Sequence, residues 1–278
     1  MPVIRTADND TFYLDEGTGE PVVFVHGHTL THHMWDAQVA PLLAAGYRVL
    51  RYDLRGHGQS GAPLVGYTPE DLAADLKTLL DARGIAQAHV VGLSRSGGVT
   101  LAFALAYPAA TRTITLIDSV LPGYPFSDAI RATLRTHAEH FAAGGKAAFL
   151  ASWLTDDLFV PACRDPALAA ALADIVQGYA AVEMSPVAIT AMREHAATRP
   201  SVPPVAERLA EIDIPALVIV GALDVPDFQA MAAELVATLP RAQKLVVADA
   251  GHMANMEQPA VVNDALLRFL RDHARRVH

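Results

Sequence analysis

The stretch His89-Val90-Val91-Gly92-Leu93-Ser94-Arg95-Ser96-Gly97-Gly98 decides how this chain is read. Its first half is apolar on both faces and β-branched, which predicts a strand buried inside a sheet. The strand ends in Gly92-Leu93-Ser94 and turns at once into an apolar helical run that reaches Tyr107-Pro108. Such a junction holds the serine on a sharp, strained turn with its hydroxyl projecting above the sheet. The positions two residues to either side must be small, because the strand and helix backbones approach closely there. Gly92 meets that demand; on the other side Ser96 stands where glycine is usual, and Gly97-Gly98 follow. Ser94 is the candidate nucleophile and Ser96 its rival. Choosing Ser96 would put Ser94 where the preceding glycine belongs and push the turn into the helix.

Working outward, the partners that a serine nucleophile needs come in the order Ser, Asp, His. After the apolar run 216–220 comes Gly221-Ala222-Leu223-Asp224, and after 244–247 comes Asp249-Ala250-Gly251-His252. Both residues are expected on loops just past strand ends. His252 would take the Ser94 proton and return it to the leaving group, while Asp224 would hold the imidazole's tautomer. Asp227, three residues on, and Asp118, at the end of the run 113–117, are alternative acids. Upstream, His26-Gly27-His28-Thr29 follows the run 21–25. The backbone N–H groups of His28 and Arg95 are the candidate oxyanion donors, each typically worth about 10²–10³ in turnover.

The same six apolar runs (21–26, 48–52, 88–92, 113–117, 216–220 and 244–247) organise the whole chain. Helical patterns at 69–83, 97–106, 227–239 and 259–274 lie between or after them. This alternation predicts an α/β fold with a doubly wound, mostly parallel sheet. Residues 11–15, before the turn Glu16-Gly17-Thr18-Gly19, predict an antiparallel strand. From about 121 to 203 the rhythm stops: the text is alanine-rich and helical, with patterns at 129–140, 146–154, 166–179 and 188–197. About eighty residues exceed one crossover. They predict a helical cap over the strands' carboxyl ends, where open α/β sheets bind ligands. The expected division is a core of 1–120 and 204–278 with a cap of 121–203. Arg131, His137, His140, Trp153, Tyr179 and Arg193 could face the pocket from the cap, though helical residues of these types more often pack or face solvent.

Composition excludes several classes. Of 278 residues, 52% are hydrophobic and 18% charged, as in an ordinary globular chain. Lys plus Arg number 21 against 30 Asp plus Glu, a formal charge of −9 with no basic run, so no nucleic-acid partner is expected. No apolar run is long enough to span a membrane and no leader pattern is visible, so the expectation is a cytoplasmic enzyme with a small-molecule substrate. The lone Cys163 lies in a polar stretch and reads as structural. His26, His28, His32 and His33 raise the question of a metal. His26 and His28 match the first half of a His-x-His-x-Asp-His cluster, but Leu30 and Thr31 stand where the Asp and the next His are required. No metal and no cofactor are expected. His32, His33 and Trp35 are expected at the pocket mouth or at a helix start, and the loop Asp53–Ser60 as a tight turn held by Asp53 and Arg55.

Taken together, His26-Gly27, the Asp53–Ser60 loop, Gly92-Leu93-Ser94, Gly221 to Asp224 and Gly251-His252 resemble the α/β-hydrolase superfamily along nearly the whole chain. The resemblance implies an eight-stranded, mostly parallel sheet with one antiparallel strand and a helical cap. It implies a serine hydrolase that cleaves a small or medium carboxylic ester, thioester or lactone through an acyl-enzyme. Similar proteins also include carbon–carbon bond hydrolases, lyases, cofactor-free oxygenases and ligand receptors with little turnover, which are the alternatives. Dehalogenating and epoxide-opening relatives carry Asp at the nucleophile position, so Ser94 speaks against those reactions.

Overall fold

The computed structural model describes residues 2–6, 8–198 and 203–274. Every apolar run named above becomes a strand, and all but the last, which forms a partly exposed edge, are buried almost throughout. The strands are β1 (Val3–Thr6), β2 (Asn9–Glu16), β3 (Pro21–Val25), β4 (Arg48–Tyr52), β5 (Ala88–Leu93), β6 (Thr111–Ile117), β7 (Ala216–Gly221) and β8 (Ala242–Val247). They form one eight-stranded sheet in the order β1-β2-β4-β3-β5-β6-β7-β8. From β4 to β8 every neighbouring pair is parallel, and β2 runs antiparallel to both of its neighbours.

The helices are α1 (Asp36–Ala44), α2 (Pro69–Ala82), α3 (Arg95–Ala106), α4 (Asp128–Trp153), α5 (Pro166–Ile175), α6 (Pro186–Ala197), α7 (Val205–Arg208), α8 (Pro226–Thr238), α9 (Ala254–Glu257) and α10 (Pro259–Asp272). Two elements escape the pattern reading. The periodicity of α1 is interrupted by Pro41, and β1 is a short, largely exposed edge strand. The pattern over 166–179 is also shorter than expected: α5 stops at Ile175 and a 3₁₀ turn, Val176–Gly178, follows.

Between β6 and β7 no described residue from 121 to 203 joins the sheet; residues 199–202 of the expected cap lie outside the described residues. The patterns at 129–140 and 146–154 are two halves of α4, bent where Gly144 and Gly145 leave helical geometry. Phe149, Trp153, Phe159 and Leu172 of this insertion are buried in the same apolar cluster as Phe24 and Trp35 of the core. That shared burial packs the insertion against the core. Trp35 is fully buried against Phe24 (ring centroids 4.8 Å apart), so it belongs to the core and not to a pocket mouth. No helix among the described residues is long and apolar enough to cross a membrane.

Candidate active site

Ser94 joins β5 to α3 with φ 54° and ψ −123°, a conformation that costs a non-glycine residue about 1–3 kcal/mol. The turn is held from several sides. Ser94 N–H donates to the Ile117 carbonyl, and the Ser94 carbonyl accepts from Gly97 and Val120, each at 2.9 Å. A Cβ on Gly92 would stand 2.3 Å from the Ser96 carbonyl oxygen, and one on Gly97 would stand 1.7 Å from Ser119 Oγ. Both glycines are therefore required by close approach. Ser96 is fully buried and its hydroxyl donates to the His26 carbonyl, tying α3 to the loop after β3. Its hydroxyl is committed there, whereas Ser94, at the helix N-cap position, makes no capping bond with its side chain.

The Ser94 hydroxyl instead meets His252. Ser94 Oγ lies 2.8 Å from His252 Nε2, and His252 Nδ1 lies 2.9 Å from Asp224 Oδ2. A carboxylate only accepts, so Nδ1 carries the ring proton and Nε2 is free to accept from the serine. Asp224 Oδ1 takes the Val225 N–H at 2.7 Å, and the Phe228 ring packs 4.2 Å from the imidazole. Of the other two carboxylates considered, Asp227 accepts from Ser127 N and Oγ, away from His252. Asp118 is sealed behind Asp224 and accepts from Gly221 N at 2.7 Å. Burial first, and then the adjacent Asp224 carboxylate, push its pKa well above the usual range. Both influences favour the protonated form of Asp118, which sits directly behind Asp224.

Glu257 went unnoticed in the sequence. Its two carboxylate oxygens accept Gly251 N–H at 2.9 Å and Met253 N–H at 3.0 Å, so it brackets His252. A Glu five residues after a loop histidine has no recognisable spacing, so only the folded loop reveals it.

His28 and Arg95 flank the serine, and neither backbone N–H donates to a protein acceptor among the described residues. Their side chains form an unforeseen cluster. The Arg95 fork holds Glu183, from the insertion, at 2.7 and 2.8 Å, and Tyr179 donates to the same carboxylate at 3.0 Å. Burial opposes the charge of Glu183, but the guanidinium outweighs it and holds the group at about 2. Burial drives His28 and His57 down to about 4 each, so both are neutral near pH 7. Ligand atoms of His28, His57 and Glu183 come within 4.8 Å of one another. Arg95 already supplies the cation at that carboxylate, however, and a metal would have to sit against a guanidinium. The geometry therefore favours an ion pair over a metal there.

Ser94, His28 and Arg95 open on a cavity of about 280 Å³ whose walls are mostly apolar and include Val120, Phe126 and Trp153. Of the insertion residues singled out above, Trp153 lines it. Arg131, His140 and Arg193 are exposed, while His137 and Tyr179 are buried in hydrogen bonds. A larger cavity, about 680 Å³, is bordered by His32, His33, Asp36 and Asp53 and lacks the serine. Its histidines are committed, His32 to Asp53 at 2.9 Å and His33 to Asp36 at 3.0 Å. Arg55 holds Asp75 through two bonds of 2.8 Å, which fixes the loop after β4.

Comparison with known proteins agrees with this geometry. The family model described as the alpha/beta hydrolase fold matches residues 20–259. A 3-oxoadipate enol-lactonase of Acinetobacter baylyi is 33% identical over 247 residues, covering 86% of this chain and 84% of the relative. A non-heme chloroperoxidase of Streptomyces lividans is 37% identical over 132 residues, 46% of this chain and 48% of its own. The chain matches about a third to a half of the length of the first curated relatives. Among solved structures, an esterase from Thermogutta terrifontis superposes with a TM-score of 0.80 at 30% identity, covering 99% of this chain and all of its own.

Proposed function

This chain belongs to the α/β-hydrolase fold family, and on that premise we propose that it is an enzyme that cleaves small or medium carboxylic esters, thioesters or lactones through an acyl-enzyme on Ser94. The observation that carries the reading is the unbroken chain Ser94 Oγ–His252 Nε2, 2.8 Å, and His252 Nδ1–Asp224 Oδ2, 2.9 Å. Ser94 Oγ attacks the carbonyl carbon as its proton passes to His252 Nε2. Asp224 stabilises the imidazolium without taking the proton. The carbonyl oxygen, now an oxyanion, accepts from the backbone N–H groups of His28 and Arg95. Arg95 also opens α3, whose positive dipole end favours that charge. His252 then protonates the leaving oxygen or sulfur, and a water activated by the same histidine releases the acid. The apolar cavity suits an uncharged acyl group, and the enol-lactonase relative favours lactones within the class. Residues 121–203 act in this proposal as a cap that sets specificity.

Mass-spectrometric mapping after exposure to a fluorophosphonate, beside a Ser94→Ala control, tests the proposal. An adduct on Ser94 that vanishes in the control supports it. An adduct on Ser96 moves the nucleophile, and no adduct on the folded protein favours a non-covalent lyase or a binding protein.

A further inference from the structure

His28 carries more information in its side chain than an oxyanion donor needs. Its Nδ1 lies 3.2 Å from Arg95 Nη1. A guanidinium can only donate, so Nδ1 is an acceptor and the ring proton sits on Nε2. The Glu183 carboxylate stands 3.6 Å from Nδ1, beyond a good hydrogen bond. The Arg95 fork is already committed: its terminal nitrogens serve Glu183 twice, His28 and the Tyr67 carbonyl. It therefore has no terminal N–H left for an anionic substrate group.

The His28 ring is clamped edge-on by Tyr179 at 4.9 Å and Trp153 at 5.5 Å between centroids. Its Nε2–H has no acceptor among the described residues, yet it is not sealed from solvent, and the residue lines the Ser94 cavity. The ring is thus a fixed, uncharged donor in a mostly apolar wall, to which Thr133 and Asp156 also contribute. An oxygen brought into that wall without a donor would lose its water bonds uncompensated.

We propose that His28 Nε2–H is a specificity-determining donor that recognises an uncharged oxygen (ether, hydroxyl or keto) on the acyl portion of the substrate, with Arg95 and Glu183 as positioning residues that fix its tautomer. The inference rests on the acyl-transfer reading of Ser94. On that reading the backbone N–H of the same residue takes the reacting carbonyl oxygen, which puts the recognised oxygen on the acyl side. Glu183, Arg95, His26, His137, His57 and Tyr179 surround the ring, and burial is the largest influence keeping it neutral.

The test compares p-nitrophenyl methoxyacetate with p-nitrophenyl butanoate, which differ by one oxygen in place of a methylene. The kcat/KM ratio of the two esters is taken for the wild type, His28→Phe and His28→Gln, so that intrinsic reactivity cancels between enzymes. The ratio should fall about tenfold in His28→Phe, the worth of one neutral hydrogen bond, and recover in His28→Gln. An unchanged ratio in His28→Phe, with Ser94 still labelled by fluorophosphonate, overturns the inference and spares the hydrolase reading. If neither ester turns over and Ser94 takes no adduct, the hydrolase reading fails and takes the recognition role with it. Nitrogen-15 NMR of the histidine rings tests the tautomer separately. An unprotonated Nδ1 in the wild type that changes in Glu183→Gln supports the positioning role, and a protonated Nδ1 at pH 7 overturns it.

Discussion

The described residues contain two Ser–His–Asp chains. In one, Ser94, His252 and Asp224 are joined at 2.8 and 2.9 Å; in the other, within the insertion, Ser152, His137 and Asp156 are joined at 2.9 and 2.8 Å. The residue types and distances are the same, so the difference lies in what surrounds them. Ser94 sits at φ 54° on a turn, with two backbone N–H groups unspent beside it. Ser152 lies inside α4, where the surrounding N–H groups serve the helix. The rings are also turned round: His252 gives Nε2 to its serine, while His137 gives Nδ1. His137 precedes the bend at Gly144 and Gly145, Ser152 follows it, and Asp156 lies in the next turn, so the second chain closes a bent helix on itself. Hydrogen-bond distance makes a relay; a strained elbow, free donors and a cavity turn a relay into a candidate for catalysis.

The largest effect that would separate the two belongs to Ser94→Ala. It should lower kcat for a reactive ester by about 10⁵-fold or more, because the remaining residues act as a unit with the serine. If turnover persists and a fluorophosphonate adduct moves to Ser152, the comparison is broken. Next comes Asp224→Asn, which leaves the shape intact but removes the acceptor that fixes Nδ1–H on His252. Steady-state kinetics should give a loss of about 10⁴ in kcat. The matching Asp156→Asn should keep kcat within about threefold, since no reacting atom depends on its charge.

That asymmetry also explains what could be read from the chain. The elbow was legible because Gly92, Ser94 and Gly97 obey a local steric rule, and five of the six apolar runs because buried parallel strands have a signature of their own. Asp224 and His252 were legible as residues just past strand ends. The wall of the cavity was not. Glu183 reaches Arg95 across 88 residues, and Ser152 and Asp156 stand 15 and 19 residues from His137, spacings that match no helical or strand period. Helix α1 was hidden by Pro41, and the role of Ser96 by its likeness to a missing glycine. The core speaks through periodicity, whereas the insertion speaks through contacts between distant segments.

A smaller effect is expected from His137→Phe, which keeps the aromatic packing on Phe149 and Trp153 but strips Asp156 of its buried partner. Denaturant unfolding should show a loss of about 2–3 kcal/mol, softened by the Leu158 N–H that Asp156 still accepts. Trp153 and Asp156 both border the Ser94 cavity, so KM should rise while kcat stays near the wild-type value. A fall in kcat with KM unchanged would instead make the second chain part of the chemistry.

The acids behind the two chains differ as well. Asp224 is backed by Asp118, whose protonated form burial favours, whereas Asp156 is backed by the Leu158 N–H. Because the folded pKa of Asp118 is raised, the unfolded chain loses this proton first as pH climbs. Stability from that group is full below the unfolded carboxylate range and declines as pH rises through the interval up to the folded value. Asp118→Asn cannot ionise, and its φ of 43° is one that asparagine tolerates. The variant should melt higher than the wild type at pH 7, with the gap closing toward pH 4. A gap that widens on acidification would mean that Asp118 is charged in the fold.

The smallest effect should come from Ser152→Ala. The hydroxyl it removes makes one neutral hydrogen bond to a ring whose other nitrogen keeps Asp156, so the loss in stability should be about 1 kcal/mol. Fluorophosphonate labelling of Ser94 should proceed at the wild-type rate, and kcat should stay within about twofold. The variant matters because it is the same substitution, on the same residue type, in a relay of the same dimensions as Ser94→Ala. If the two lose activity alike while both remain folded, backbone strain and free N–H groups are not what distinguish the chains. If they differ by the expected orders of magnitude, the serine's setting is what makes it reactive, and the histidine and aspartate beside it are not enough.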